Sequence, residues 1–279
     1  MTTSDPQGMI DVINSSSRRL GDYLSGLDPQ AWSQDSACEG WKVGDVVAHL
    51  TVGGESWSGS LTRALAGDAD PPPGQSFLPQ GELGSQVIGQ AAIDRYQESG
   101  TELLQEYLAA YERLDGVLST LGAGDWDGPC YHRRGRMPVR DFVGVRLQEL
   151  ALHSWDIRAG ADPAAEMWEE PLPRLVSILP RWLRIGFRRG LGLPAPARFR
   201  FDVSGPAPVN EDVVVNDDAF QVEPAGDAQA DAVFRCNSGN YILLIYGRLS
   251  VAQGIASGRL QVGGSPERAA DFTRWFQGF

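Results

Sequence analysis

Glu149 and His153 stand four residues apart in the stretch Arg146-Leu147-Gln148-Glu149-Leu150-Ala151-Leu152-His153-Ser154-Trp155-Asp156-Ile157. On an α-helix that spacing stacks the two side chains on one face, one turn apart. A carboxylate and an imidazole so placed can grip one metal ion if a third ligand arrives from elsewhere. The chain has three histidines, His49, His132 and His153. His49 lies in a second helical stretch, Val43-Gly44-Asp45-Val46-Val47-Ala48-His49-Leu50, and is the candidate third ligand. The same spacing also occurs in hydrogen-bonded pairs on helix surfaces, and a lone histidine beside an apolar face is often a satisfied core residue. What favours a metal is the setting. Leu147, Leu150, Ala151, Leu152 and Ile157 make the helix mostly apolar, and a buried Glu or His needs a partner because desolvating either charge alone is costly. Asp156, one turn from His153, could orient a ligand ring from behind, or it could be an ordinary helix-end charge.

The elements that must position these residues follow from periodicity. Residues 7–27 carry a helical stripe of Met9, Ile10, Ile13, Leu20, Tyr23, Leu24 and Leu27, stopped by Asp28-Pro29. Residues 43–66 form a second helix, preceded by a loop with Trp32 and Trp41; Trp41 is expected to pack beneath that helix. Residues 67–81, with Pro71-Pro72-Pro73-Gly74 and Pro79, read as a long loop. A third helical region covers 82–121, firm from Ile93 and closed by Gly122 and Gly124. The polar segment 125–137, with His132 read as exposed, carries Arg133-Arg134-Gly135-Arg136. That cluster is either a site for an anionic substrate or a solvated loop. Pro138 opens a fourth helix reaching Ala159. Four such helices predict a bundle, in whose core facing helices assemble metal sites.

After a breaker-rich crossing and a fifth helix at 175–189, the pattern changes. Arg198-Phe199-Arg200-Phe201-Asp202-Val203 alternates polar and apolar, a strand signal. Further strands are expected at 211–215, 219–222, 232–235 and 259–262, a buried helix at 240–246 and a terminal helix at 266–276. The fold class is therefore α+β, with a bundle at residues 1–160, a connecting helix and linkers at 161–194, and a smaller α+β domain at 195–279.

Composition bounds the function. Of 279 residues, 36 are acidic and 24 basic, a formal net charge of −12, which argues against a nucleic-acid backbone or an anionic membrane as partner. No apolar run approaches the roughly 18 residues of a membrane span, and the polar start lacks the order of a signal peptide. Cys38, Cys130 and Cys236 are odd in number and widely spaced, which fits reduced thiols and a cytoplasmic setting, although a Cys38–Cys130 bridge stays open. A monomer or small homo-oligomer is expected.

With the three ligand candidates in place, a family resemblance becomes specific. Gly40-Trp41-Lys42-Val43-Gly44-Asp45-Val46-Val47-Ala48-His49-Leu50 resembles the GW-x-V-x-D-x-x-A-H-L segment of the mycothiol-dependent maleylpyruvate isomerase family, and residues 148–157 resemble its E-x-x-x-H-x-W-D segment. The resemblance implies a DinB-like four-helix bundle holding a divalent metal, usually zinc, on His49, Glu149 and His153. It also implies mycothiol as the thiol co-substrate. Residues 241–276, with Gly247-Arg248-Leu249, Gly258-Arg259-Leu260 and Val262-Gly263-Gly264, look like the family's sterol-carrier-protein-like C-terminal domain. Lys42 departs from the family's Thr or Ser, so the side-chain cap of the second helix is missing and Asp45 is left to favour the first turn. Arg95, Arg146 and Arg158 are the candidates for the family's substrate-binding arginine.

The chemistry this implies is thiol chemistry. Two imidazoles and one carboxylate leave coordination positions open, the mark of a catalytic metal, and a thiol placed there ionises near neutral pH. The thiolate can add to a conjugated double bond. Bond rotation and expulsion of the thiolate then give cis–trans isomerisation, whereas retention of the adduct or loss of another leaving group gives S-transfer. The expected function is S-transfer onto a small electrophile, with maleylpyruvate isomerisation as the alternative and a non-catalytic binding or regulatory protein as the other class.

Overall fold

The computed structural model describes residues 6–79 and 85–278 and divides into two compact units, residues 1–166 and 167–279. The first is helical. α1 (Pro6–Ser25) buries Met9, Ile10, Ile13, Leu20 and Leu24. α2 (Val43–Leu65) buries Val43, Val46, Val47, Leu50, Thr51, Gly54, Ser58 and Leu61, a stripe at three- and four-residue steps that faces its neighbours. At its start the Lys42 N–H donates to Asp45 Oδ2 at 2.8 Å, so the carboxylate satisfies one exposed donor although Lys42 supplies no side-chain cap.

The third helical region is two helices. α3 (Ser85–Ser99) and α4 (Leu103–Leu118) are joined by a short 3₁₀ turn at Gly100–Glu102, where Gly100 takes φ +52°. A positive φ is cheap only for glycine, so the break sits there. The beginning expected at residues 82–84 lies outside the described residues. Tyr96 of α3 lies flat against Gly44, where a Cβ would stand 2.3 Å from its ring. The Tyr107 hydroxyl of α4 donates to the Ser17 carbonyl at 3.1 Å, tying α4 to α1.

The segment between α4 and the next helix is a short hairpin and not an unstructured loop. β1 (Pro129–Cys130) pairs antiparallel with β2 (Met137–Pro138). Two residues per strand are too few for an alternation signal, which is why the pattern gave none. His132 at its tip is half-buried against Trp57 and Phe142, at ring distances of 6.1 and 6.5 Å, and not exposed. α5 (Val139–Ala161) follows and is buried on nearly every side.

The second unit opens with α6 (Leu172–Gly186), which starts three residues before the expected helix; Phe187 beyond it bridges to Phe276 in extended form. A five-stranded sheet has the order β5-β4-β3-β6-β7. β3 (Ala197–Ser204), β4 (Val209–Asn216) and β5 (Ala219–Pro224) form an antiparallel meander, β6 (Ala232–Asn237) runs parallel to β3, and β7 (Gln261–Gly264) closes the far edge antiparallel to β6. The parallel β3–β6 pair needs a crossover, which β4 and β5 supply. α7 (Ser238–Ile245) and α9 (Pro266–Trp275) pack on the sheet, with Phe199, Phe201, Phe234 and Phe272 in the shared core. α8 (Val251–Ala256) has no expected counterpart; at six residues it is too short to show a period, and its signal is the capping box of Ser250 and Gln253.

Candidate metal centre

α2 presents His49 and α5 presents Glu149, His153 and Asp156. The structure brings the first three together. His49 Nε2 lies 2.9 Å from Glu149 Oε2 and His153 Nε2 lies 3.5 Å from the same oxygen. One donor atom from each residue falls within 4.8 Å of the other two. The imidazole rings meet edge to face at 4.8 Å. A tetrahedral ion at about 2.1 Å from each donor would set neighbouring donors about 3.4 Å apart. The 3.5 Å pair already matches, and the 2.9 Å pair needs to open by only about half an ångström. Two imidazoles and a carboxylate are a donor set suited to a divalent ion such as zinc, so the residues fit the group.

Asp156 stands behind His153. Its Oδ2 is 2.9 Å from His153 Nδ1 and its side chain is fully buried. A carboxylate there accepts the Nδ1 proton, which fixes the tautomer and turns the Nε2 lone pair toward Glu149. Burial alone would lower the His153 pKa, but hydrogen bonds with Asp156 and Glu149 outweigh it and raise the group above its ordinary value. For His49 burial wins and holds the imidazole below its ordinary value, against the pull of Glu149. Burial would raise Glu149, yet the two histidines hold it well below the usual carboxylate range. The cluster therefore keeps Glu149 ionised and His49 neutral, the forms that bind metal. It is reachable: the Glu149 side chain retains 28% exposure, against 16% for His49 and 10% for His153.

Two further residues join the centre from the loop before α2. Trp41 does not merely pack under the helix. Its ring lies 5.2 Å from that of His49 and 6.1 Å from that of His153, near-parallel to the latter at 21°. Cys38 offers Sγ within 4.8 Å of donor atoms on His153 and Asp156. The loop is pinned to α5 by a hydrogen bond from the Ala37 N–H to the Asp156 carbonyl at 2.9 Å, and it turns on Ser36, whose hydroxyl donates to the Trp41 carbonyl at 2.8 Å. Gly160 permits the approach, since a Cβ there would stand 2.4 Å from the Asp35 carbonyl oxygen. Nothing in the local sequence reports that fold-back. All three cysteines are free thiols, so there is no Cys38–Cys130 bridge.

The three arginine candidates separate. Arg95 donates to Glu106 and Glu55 at 3.0 Å each, and Arg158 donates from Nε to the Ser154 carbonyl at 3.2 Å. Arg146 is 2% exposed, donates from Nη2 to the Tyr111 hydroxyl at 2.7 Å, and lies 5.7 Å from the Trp57 ring centre. It stands three residues before Glu149 on α5, less than one turn away.

Comparison with known proteins agrees with this architecture. A model of the mycothiol maleylpyruvate isomerase N-terminal domain matches residues 13–158, and one of the SCP-2 sterol transfer family matches residues 194–277. The crystal structure of the mycothiol-dependent maleylpyruvate isomerase aligns over 96% of this chain and 98% of its own, at 16% identity and a TM-score of 0.65. The structure of a mutant of that enzyme gives the same values. At that identity the likeness establishes a shared fold. Among curated proteins no sequence matches. No described helix is long and apolar enough to cross a membrane.

Proposed function

Since the chain belongs to the mycothiol maleylpyruvate isomerase family, we propose that it is a metal-dependent enzyme that uses mycothiol to isomerise a small conjugated substrate of the maleylpyruvate type. The observation that carries this reading is the convergence of His49, Glu149 and His153 with Asp156 behind His153. When bound there, a divalent ion supplies the positive charge that keeps a small-molecule thiol ionised near neutral pH.

The chain's own residues do the rest. Asp156 holds the proton on His153 Nδ1 and so keeps Nε2 available as a ligand atom. Glu149 stays ionised and His49 uncharged, so loading the site needs only the His49 Nε2 proton, which Glu149 Oε2 accepts at 2.9 Å, to give way. Trp41 covers one side of the imidazole pair and limits water there. In the bonds made and broken, the thiol is the one co-reactant. The thiolate adds to one carbon of the conjugated double bond, the bond rotates as a single bond, and expulsion of the same thiolate restores the double bond with the other geometry. Nothing is consumed, and no protein cysteine is required.

S-transfer would use the same donor set. The family's description supports isomerisation over it, because it names an isomerase and no transferase. The test is conversion of maleylpyruvate by the purified protein, followed by ultraviolet absorbance. The expected result is a rate that depends on mycothiol, is lost on chelation and returns with zinc. A rate indifferent to mycothiol contradicts the proposal; a stable thiol adduct of the substrate, found by mass spectrometry, would move the reaction to S-transfer.

A further inference from the structure

His153 has two ring nitrogens, and the candidate centre uses one of them. Nε2 faces Glu149 Oε2 at 3.5 Å, while Nδ1 faces Asp156 Oδ2 at 2.9 Å. The two nitrogens point away from each other across the ring, so one ion cannot take both. On the Asp156 side stands a third donor that the reaction does not use. Cys38 Sγ, a carboxylate oxygen of Asp156 and a ring nitrogen of His153 lie within 4.8 Å of one another. Thiolate, carboxylate and imidazole are each metal ligands, and the sulfur gives the set a preference for soft ions.

The backbone holds the thiol in this position. Residues 36–41 close a tight turn, in which the Cys38 N–H donates to Ser36 Oγ at 3.1 Å and the Cys38 carbonyl accepts the Trp41 N–H at 3.0 Å. The preceding residue, Ala37, is bonded to the Asp156 carbonyl, and a Cβ on Gly160 would meet Ser36 Cα at 2.8 Å, so the turn sits directly on the end of α5. Cys38 is half-buried and reachable by an ion, whereas the Asp156 side chain is closed to solvent. The other two thiols have no such setting. Among the described residues neither Cys130 nor Cys236 belongs to a group of three candidate ligands, and burial pushes both thiols up to about 12.

We propose that Cys38, Asp156 and the Nδ1 edge of His153 form a second metal site, which takes a thiophilic divalent ion such as cadmium or excess zinc. It is separate from the ion on His49, Glu149 and His153 Nε2, and it does not rest on the use of mycothiol. Binding makes bonds from the ion to the Cys38 thiolate, one Asp156 oxygen and His153 Nδ1, while the thiol proton and the Nδ1 proton leave to solvent. Because the ion has to displace a proton shared with a buried carboxylate, it is held more weakly than the first ion and is lost on dialysis. Asp156 cannot ligate this ion and hold the Nδ1 proton at once, so its two roles exclude each other.

The test is titration of the purified full chain with cadmium, read by the ultraviolet charge-transfer absorbance of a cadmium–thiolate bond, with circular dichroism to confirm that each variant is folded. The parent should develop the band. Cys38→Ser and Cys38→Ala should lose it, and Cys130→Ser and Cys236→Ser should keep it. His49→Ala, which lacks a ligand of the first site, should keep it as well. Asp156→Asn should weaken the titration by at least the roughly tenfold that loss of even an outer partner costs a metal site. No band in the parent, or a band that survives both Cys38 substitutions, overturns the proposal. So does a band that forms in Asp156→Asn at the same cadmium concentration as in the parent, because a lone thiol would then be binding the metal. The band reports the thiolate alone, so its failure leaves the zinc content of the parent, and with it the first centre, as a separate question.

Discussion

Asp156→Asn isolates the contribution of the residue behind the ligands. The Asp156 carboxylate is fully buried and accepts the His153 Nδ1 proton at 2.9 Å, while its main-chain carbonyl independently holds Ala37. An asparagine of the same shape keeps the main-chain bond and can still accept through its amide oxygen, so the loop and the ring position should survive. What it loses is the negative charge, which stiffens the tautomer and raises the basicity of Nε2. Hydrogen bonds to charged groups contribute about 1.5–3 kcal/mol, and removing the partner of a metal-ligating histidine typically costs about 10–100-fold in metal affinity. That range is about 1.4–2.7 kcal/mol, so the two estimates agree. The assay is competition for zinc against a chelator of known affinity, with thermal unfolding of the metal-free protein as the control for folding. Unchanged zinc affinity in a well-folded Asp156→Asn protein would refute the argument, and Asp156 would then be a helix-packing residue only.

Three other outcomes follow from the same geometry. Gly160→Ala puts a Cβ 2.4 Å from the Asp35 carbonyl oxygen, and since the obstacle is backbone, urea unfolding should show a loss of about 1–3 kcal/mol. In the metal-free protein, the raised pKa of His153 gives stability that is complete below its ordinary 6.5 and lost as pH rises through the higher folded value. The depressed Glu149 gives stability present above 4.5 and lost as pH falls through its lower folded value, while the lowered His49 removes stability as pH falls below 6.5. Thermal melts of the metal-free protein should therefore fall off on the alkaline side, and Asp156→Asn should flatten that slope. Replacing Cys38, Cys130 and Cys236 together by Ser should leave most of the mycothiol-dependent rate. If Cys38→Ser alone abolishes that rate with metal content intact, a protein thiol is the nucleophile.

How much of this could be read from the residues depends on distance along the chain. The four-residue step from Glu149 to His153 and the three-residue step to Asp156 are local, and helical geometry alone puts them on one face. The stripe of α2 likewise predicts which side His49 adjoins. The alternation of residues 198–203 announced the sheet that makes the second unit α+β. What was not legible is what tertiary packing decides. Trp41 reads as a core aromatic, and only the fold-back of residues 35–41 onto α5 brings it over both histidines. The Gly100 break was hidden inside one continuous apolar register, and α8 and the β1–β2 ladder were too short to carry a period. The polar residues of α5 follow no single face: Arg146, Gln148, Ser154 and Asp156 are spread around the helix, and all are buried.

Metal content is the most direct test of the central claim that His49, Glu149 and His153 hold one ion. The purified protein, dialysed against metal-free buffer and measured by inductively coupled plasma mass spectrometry, should carry close to one divalent ion per chain. His49→Ala, Glu149→Gln and His153→Ala should each carry almost none while keeping the parent's circular dichroism spectrum. A parent protein that binds no divalent ion when zinc is supplied, or three folded variants that bind it as the parent does, would contradict the account.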